Sequence, residues 1–150
     1  MAAPEDRWLT VWVRDLPLAI PLSQVRQVLL WVPWRRALPR EGGGAGVLSL
    51  RGEDWPVWDL GSFWGLRPRR PDVETGFVLI DRPDGARFGA LLVDRVGWVV
   101  EAAPEESLGR VWLPGLPFRR TITDGETGTE HFVMTVVDLL DRLAVTSAGA

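Results

Sequence analysis

The stretch "GVLSLRGEDWPVWDL", Gly46 to Leu60, reads as two short apolar strands joined by a polar turn. Leu48–Leu50 and Trp55–Trp58 carry the alternation of a half-buried hairpin turning around Gly52-Glu53-Asp54. Ser49 and Arg51 interrupt the first strand on one face. An arginine directly before a turn glycine is either an ordinary solvent-facing residue or one that a partner reads. Asp59 has a local reason of its own. A carboxylate there accepts from the free backbone N–H groups of a short helical turn, Leu60 to Trp64, which Gly65 ends.

The same pattern extends to both sides. Upstream, Trp8, Thr10, Trp12 and Arg14 alternate with Leu9, Val11 and Val13, and a break at Asp15-Leu16-Pro17 leads into a second strand, Leu18–Leu22. Ser23 is expected to cap a short helix, Gln24 to Leu30, with Val25, Val28 and Leu29 as its apolar face. Trp31 to Arg40, with its prolines and arginines, reads as a loop, and "EGGGAG" follows with almost no conformational bias. Downstream, "FVLID" (Phe77–Asp81) is a strand, and Asp84-Gly85 is a hairpin turn whose two residues both tolerate positive φ. "GALLVDRVGWVVEA" is a strand, a bend at Asp94-Arg95 and another strand. Ala103 to Thr129 is rich in Pro, Gly and charge and carries no clear period. "HFVMTVVDLLDRL" closes as a strand, with Asp138 capping a terminal helical turn.

Two segments echo each other. "AIPLSQVRQVL" (Ala19–Leu29) lies over "ALLVDRVGWVV" (Ala90–Val100), and "PVWDLGSFW" resembles "MTVVDLLDRL". The expectation is a mainly β fold of two similar subdomains, about 7–71 and about 72–145, whose chain ends can exchange. A chain of 150 residues is long enough for this.

Composition removes several functions. The 150 residues contain no cysteine, so disulfides, thiolate metal sites and cysteine nucleophiles are excluded. All 17 basic residues are arginine, and lysine, tyrosine and asparagine are absent, as a GC-rich coding sequence would produce. Without lysine, "EGGGAG" cannot be a phosphate loop. His131 is the only histidine, so no histidine pair can ligate a metal, and its place at a strand start points to a structural role. Asp124, Glu126 and Glu130 cluster, but Gly125 and Gly128 leave no fixed distance for acid–base work. No enzymatic activity, cofactor or metal is expected. "MAAPEDRWL" lacks the form of a signal peptide and no apolar run reaches about 18 residues, so a cytoplasmic protein without membrane insertion is expected.

Arg35, Arg36, Arg40, Arg67, Arg69 and Arg70 near tryptophans would suit a small β-barrel that binds single-stranded nucleic acid. The net charge of −3 counts against it, and no nucleic-acid partner is expected. Nine tryptophans are more than a small β protein hides easily. Most should fill the core, and Trp31 and Trp34 are candidate exposed anchors, since Trp and Arg are enriched at interface hot spots.

From Leu9 to Leu143 the chain resembles the CheW family of chemotaxis coupling proteins. Four pieces in order carry the resemblance: "AIPLSQVRQVL", "GVLSLRGEDWPVWDL", "FGALLVDRVGWVV" and "FVMTVVDLLDRL". The second is similar to the family signature G-x-x-N-L-R-G followed by a P-V-x-D-L strand, with Ser49 in place of the asparagine. "RVWLPGLPFRRTITDGETGTEH" departs from the family pattern.

The resemblance implies two SH3-like five-stranded β-barrel subdomains with short helices and a groove between them. It implies an adaptor without catalysis, coupling chemoreceptors to a CheA-type histidine kinase in chemotaxis or pilus motility, recruited to membrane receptor arrays. Its partners would be the regulatory domain of the kinase and the helical tip of a receptor, the latter bound helix-in-groove. Val25 and Val28 match positions near the receptor site, Arg51 the signature arginine, Gly46 and Gly52 its flanking glycines, and Gly89 and Val93 the lining from the second subdomain. The divergent segment after Ala103 leaves room for a scaffold whose partner is not a chemoreceptor.

Overall fold

Runs of β-branched and aromatic residues become strands wherever their alternation finds a partner strand. The computed structural model describes residues 6–30, 35–36, 44–67, 69–82, 84–106 and 120–135. Its strands are β1 (Arg7–Val13), β2 (Leu16–Pro21), β3 (Val25–Leu30), β4 (Arg35–Arg36), β5 (Gly44–Leu50), β6 (Glu53–Asp59), β7 (Gly76–Asp81), β8 (Arg87–Val93), β9 (Arg95–Glu101), β10 (Glu105–Glu106), β11 (Arg120–Thr123) and β12 (Glu130–Val133). One α-helical turn, α1 (Leu60–Phe63), follows β6, and a 3-10 turn spans Leu22–Gln24. Asp59 caps α1 as expected: its Oδ1 accepts from the Ser62 N–H at 3.3 Å and its Oδ2 from the Ser62 hydroxyl at 2.8 Å. Gly65, at φ +72°, follows the turn in the left-handed region that ends helices.

The strands form two sheets, with orders β10-β11-β12-β2-β1-β9 and β3-β7-β8-β6-β5-β4. Each holds five longer strands and a two-residue edge strand. Reversing the first order gives 9-1-2-12-11-10, which matches 3-7-8-6-5-4 when six is added to or taken from every number. Strands β1–β6 and β7–β12 are thus two copies of one topological unit. Each unit places its first two strands in one sheet and its last four in the other. Residue 72 falls in the connection between the units. The parallel pairs agree: Val57 lies opposite Ala90, and Val133 opposite Ala19. Val133 is therefore the counterpart of Val57 in the sheets.

Both sheets curl. In the first, β9 and β10 are opposite edges, yet only residues 102–104 join them. Four Cα–Cα steps reach about 15 Å at most, whereas the edges of a flat six-stranded sheet lie roughly 24 Å apart. The curl gives each sheet its own interior. Trp8, Ala19, Val100, Ile122 and Val133 fill the first, and Leu48, Trp55, Val57, Phe77, Leu79 and Ala90 the second. A third cluster lies between the sheets.

The expected helix over Gln24–Leu30 is strand β3. Val25 lies opposite Ile80 and Gln27 opposite Leu79, so Arg26 is an extra residue, a β-bulge. The bulge puts Val25 and Val28, three residues apart, opposite Ile80 and Val78 on one face of β7. A bulged strand thereby imitates the spacing of a helix. The equivalent strand β9 has the same feature: Val96 pairs with Val11 and Val99 with Leu9, against three residues on one side and two on the other.

Further departures are local. Arg35–Arg36, within the expected loop, pair with Val47 and Gly46, and β5 already begins inside the glycine run. At Asp84-Gly85 only Gly85 has positive φ, and the connection is longer, closed by Gly85 N–H to Arg82 C=O and Arg82 N–H to Ala86 C=O. The tight two-residue turn with both residues at positive φ is instead Arg51-Gly52, at +52° and +80°. Trp31, Trp34 and the helical turn expected after Asp138 lie outside the described residues. No helix among the described residues is long and apolar enough to cross a membrane.

Candidate partner-binding site

The seam between the sheets is the largest apolar cluster. Leu9, Val11, Val13, Leu16, Leu18 and Ile20 from β1 and β2 meet Val78, Ile80, Phe88, Leu91 and Val93 from β7 and β8. At its margin the apolar side chains are only half buried. Leu22, Val25 and Val28 line it from the 3-10 turn and β3, Trp58, Trp64 and Leu66 from β6 and the segment after α1, and Val96 from β9. Partly covered apolar side chains beside a fully packed core form a surface that a further apolar element can complete.

The expected site residues separate on this frame. Val25 and Val28 sit together on the margin, facing the seam. Gly89 is buried in β8 beneath Trp58. A Cβ on Gly89 would lie 2.6 Å from Trp58 Nε1 and 2.8 Å from the Pro56 carbonyl oxygen, so glycine is what lets the indole lie against the strand. Trp58 in turn stacks on Phe88, with centroids 5.7 Å apart. Val93, 1% exposed, belongs to the core of the seam, where a partner would not touch it directly. Gly46 lies opposite Val57 beside a bulge in β5. Arg51 and Gly52 form the exposed β5–β6 turn. This answers the question of the awkward arginine: Arg51 is a turn residue and not part of the strand. Ser49, in place of the signature asparagine, donates to Asp54 Oδ1 at 2.6 Å across the same hairpin.

A charged group closes one end of the seam. Arg14 occupies the two-residue β1–β2 turn at φ +55°. Its backbone N–H donates to Asp94 Oδ2, and its guanidinium donates to both Asp94 oxygens, at 3.0 and 3.2 Å. The same guanidinium lies 3.8 Å from Asp59 and donates through Nε to the Arg67 carbonyl at 2.5 Å. It rests on α1, where a Cβ on Gly61 would come within 2.6 Å of Arg14 Cζ. Asp94 is the single residue joining β8 to β9, where the chain crosses between sheets. Sequence reasoning saw Arg14 as a strand position and Asp94 as a bend. The tight turn that aims Arg14 at Asp94 was the missed signal.

A second group sits in the curl of the first sheet. His131 is fully buried, its ring edge-on to Trp12 at 5.3 Å. Burial holds its pKa below the ordinary value, with the Asp124 charge and then a contact to the Leu18 backbone opposing it. Asp124 accepts from the Trp98 indole N–H at 2.7 Å and the Glu126 N–H at 2.9 Å. The Glu126 N–H and then the Trp98 indole hold its carboxyl below the usual range. It therefore organises the β11–β12 turn, and the acidic cluster has a structural explanation. Trp98 remains 46% exposed and was not singled out in the sequence.

Comparison with known proteins completes the assignment. A family model described as "CheW-like domain" matches residues 7–145. The chain belongs to the CheW-like domain family. Among solved structures the chain is similar to the scaffolding protein TtCheW from Thermoanaerobacter tengcongensis, with a TM-score of 0.75 at 15% identity, over 91% of this chain and 93% of that one. At that identity the likeness concerns the CheW-like fold. No curated protein matches the chain. In CheW-like terms, the strand after the signature carries Trp58 at the variable place of P-V-x-D-L, and Trp58 is the residue seated on Gly89.

Proposed function

We propose that this CheW-like chain is a non-catalytic adaptor coupling chemoreceptors to a CheA-type histidine kinase, in chemotaxis or pilus-motility signalling. Membership of the family carries the reading. The half-buried margin of the seam supports it, because a receptor's helical tip could lay an apolar face along Val25, Val28 and Trp58. In this reading Val25 and Val28 meet the receptor, while Gly89 and Val93 hold the margin in shape from beneath. Arg51 offers a cation on an exposed turn shaped by Gly52, with Gly46 in the same hairpin, and Trp31 and Trp34 act as apolar anchors. The protein works in the cytoplasm and joins membrane receptor arrays through its partners, without inserting.

Calorimetric titration with the regulatory domain of a cognate CheA, and separately with a receptor-tip hairpin, tests this. Binding with Kd on the order of 10 μM or tighter supports the adaptor. Absence of binding to both at that concentration refutes it.

A further inference from the structure

Trp98 is the most exposed of the described tryptophans, yet every polar group it owns is held inside the fold. Its indole N–H donates to Asp124 Oδ2 at 2.7 Å, and its backbone N–H and C=O are both bonded to the Thr10 hydroxyl. The ring is therefore fixed by its edge, and what it shows to solvent is apolar. It lies outside the seam cluster, so the margin that carries Val25 and Val28 does not use it.

The surroundings of the ring are acidic. Asp124 holds the indole through one oxygen and the Glu126 N–H through the other, which sets the exposed Glu126 beside the ring. The described residues 95–106 and 120–135, all of the first sheet and its turns, carry six carboxylates against two arginines. Arg7 reaches across from β1 to Glu101 at 3.1 Å. Even with Arg7 counted, this part of the sheet holds a net charge of −3, equal to that of the whole chain. The neighbouring tryptophan shows what such a ring takes. The Arg95 guanidinium lies 4.0 Å from the centroid of Trp12, and Trp12 is 6.1 Å from Trp98. Trp55 likewise carries Arg26 and Arg87, at 5.5 and 5.1 Å. A flat guanidinium is attracted to the face of an indole and covers its apolar surface. A purely apolar partner would instead desolvate the carboxylates without pairing them.

We infer that Trp98 and the carboxylates beside it form a second interaction surface, separate from the seam, that takes an arginine from a basic segment of a partner protein. Trp98 supplies the stacking face, and Glu126 draws the cation to it. Asp124, 3% exposed, is a positioning residue: it holds the ring and does not meet the partner. Because Asp124 and Thr10 already fix Trp98, little side-chain freedom is lost when the arginine stacks.

The test is nuclear magnetic resonance on the isotope-labelled full chain, titrated with a short peptide alternating arginine and serine. A second peptide with glutamate in place of arginine is the control. The indole N–H signal of Trp98 is the one lost in Trp98→Leu. The arginine peptide should shift that signal saturably, and the glutamate peptide should leave it in place. Trp98→Leu should weaken the arginine peptide about three- to ten-fold, the size of one cation–π contact, as read from the backbone amides of β9. Should the leucine variant fold poorly, Glu126→Arg, at an exposed turn position, should weaken the peptide by a similar factor. A Trp98 signal unmoved by the arginine peptide, one shifted equally by the glutamate peptide, or an affinity unchanged in both variants overturns the inference. Neither receptor nor kinase enters the measurement, so its failure leaves the adaptor reading untouched.

Discussion

The Thr10 hydroxyl donates to the Trp98 carbonyl at 2.9 Å and accepts from the Trp98 N–H at 3.0 Å. One buried side chain thus satisfies both backbone groups that the β9 bulge takes out of the ladder. Thr10→Val keeps the volume and removes both bonds. Leaving two poorly solvated backbone groups unpaired should cost about 1–3 kcal/mol. Urea unfolding of Thr10→Val against Thr10→Ser measures it, with the serine variant staying close to the parent because it keeps the hydroxyl.

Gly97 sits in the same bulge. A Cβ there would lie 2.7 Å from Trp12 Cζ3 and closer still to the Thr10 oxygen. Neither neighbour is free to withdraw, since Thr10 is bonded twice and Trp12 lies between His131 and the Arg95 guanidinium. Gly97→Ala should destabilise by about 1–3 kcal/mol through overpacking. It should also change the near-UV circular dichroism, because Trp12 and Trp98 are neighbours at 6.1 Å. An unchanged spectrum with unchanged stability would mean that the bulge has room to relax.

These two residues show where sequence reading stops. Alternation identified β1, β2, β6 and β7, and the cap at Asp59 was legible because it depends only on neighbours in the chain. The internal repeat was legible too, through Ala19–Leu29 and Ala90–Val100. What alternation cannot express is an inserted residue. The bulge at Arg26 turned strand spacing into apparent helical spacing, and the one in β9 hid the role of Thr10. Of the candidate site, Val25 and Val28 were readable as an apolar pair. The Arg14–Asp94 grip was not, because it joins residues 80 positions apart through the exchange of strands.

Arg51 separates turn chemistry from recognition. Its φ of +52° is unfavourable for a side-chain-bearing residue, and Gly52 follows at +80°. Asparagine tolerates this region, and Asn-Gly is a preferred pair for such hairpins. Arg51→Asn should therefore stabilise by up to about 1 kcal/mol, whereas Arg51→Ala keeps the backbone cost and changes stability little. If a partner reads the guanidinium, both variants lose affinity alike. Thermal unfolding and calorimetric titration of the two variants test both halves. A Tm lowered by the asparagine would contradict the turn assignment, and undiminished binding by both would remove Arg51 from the partner surface.

His131 makes stability depend on pH with a definite sign. Burial lowers its pKa in the folded chain, while the unfolded chain keeps a value near 6.5. Between the two values the unfolded state holds the extra proton, so stability rises with pH and is lost as pH falls below about 6.5. One proton sets a limiting slope of about 1.4 kcal/mol per pH unit. Asp124, the charged neighbour of the ring, has its own pKa lowered from 3.8, so its contribution is lost only in stronger acid, outside this window. The test is urea unfolding at about pH 7.5 and about pH 5.5 for the parent and His131→Phe. Phenylalanine has a similar shape and gives up only the ring's contact with the Leu18 backbone, so the variant should stay within about 1 kcal/mol of the parent at the higher pH. It should also lose the decline between the two pH values, because the group that takes up the proton on unfolding is gone. A decline that persists in the phenylalanine variant would assign the acid sensitivity to the carboxylates instead.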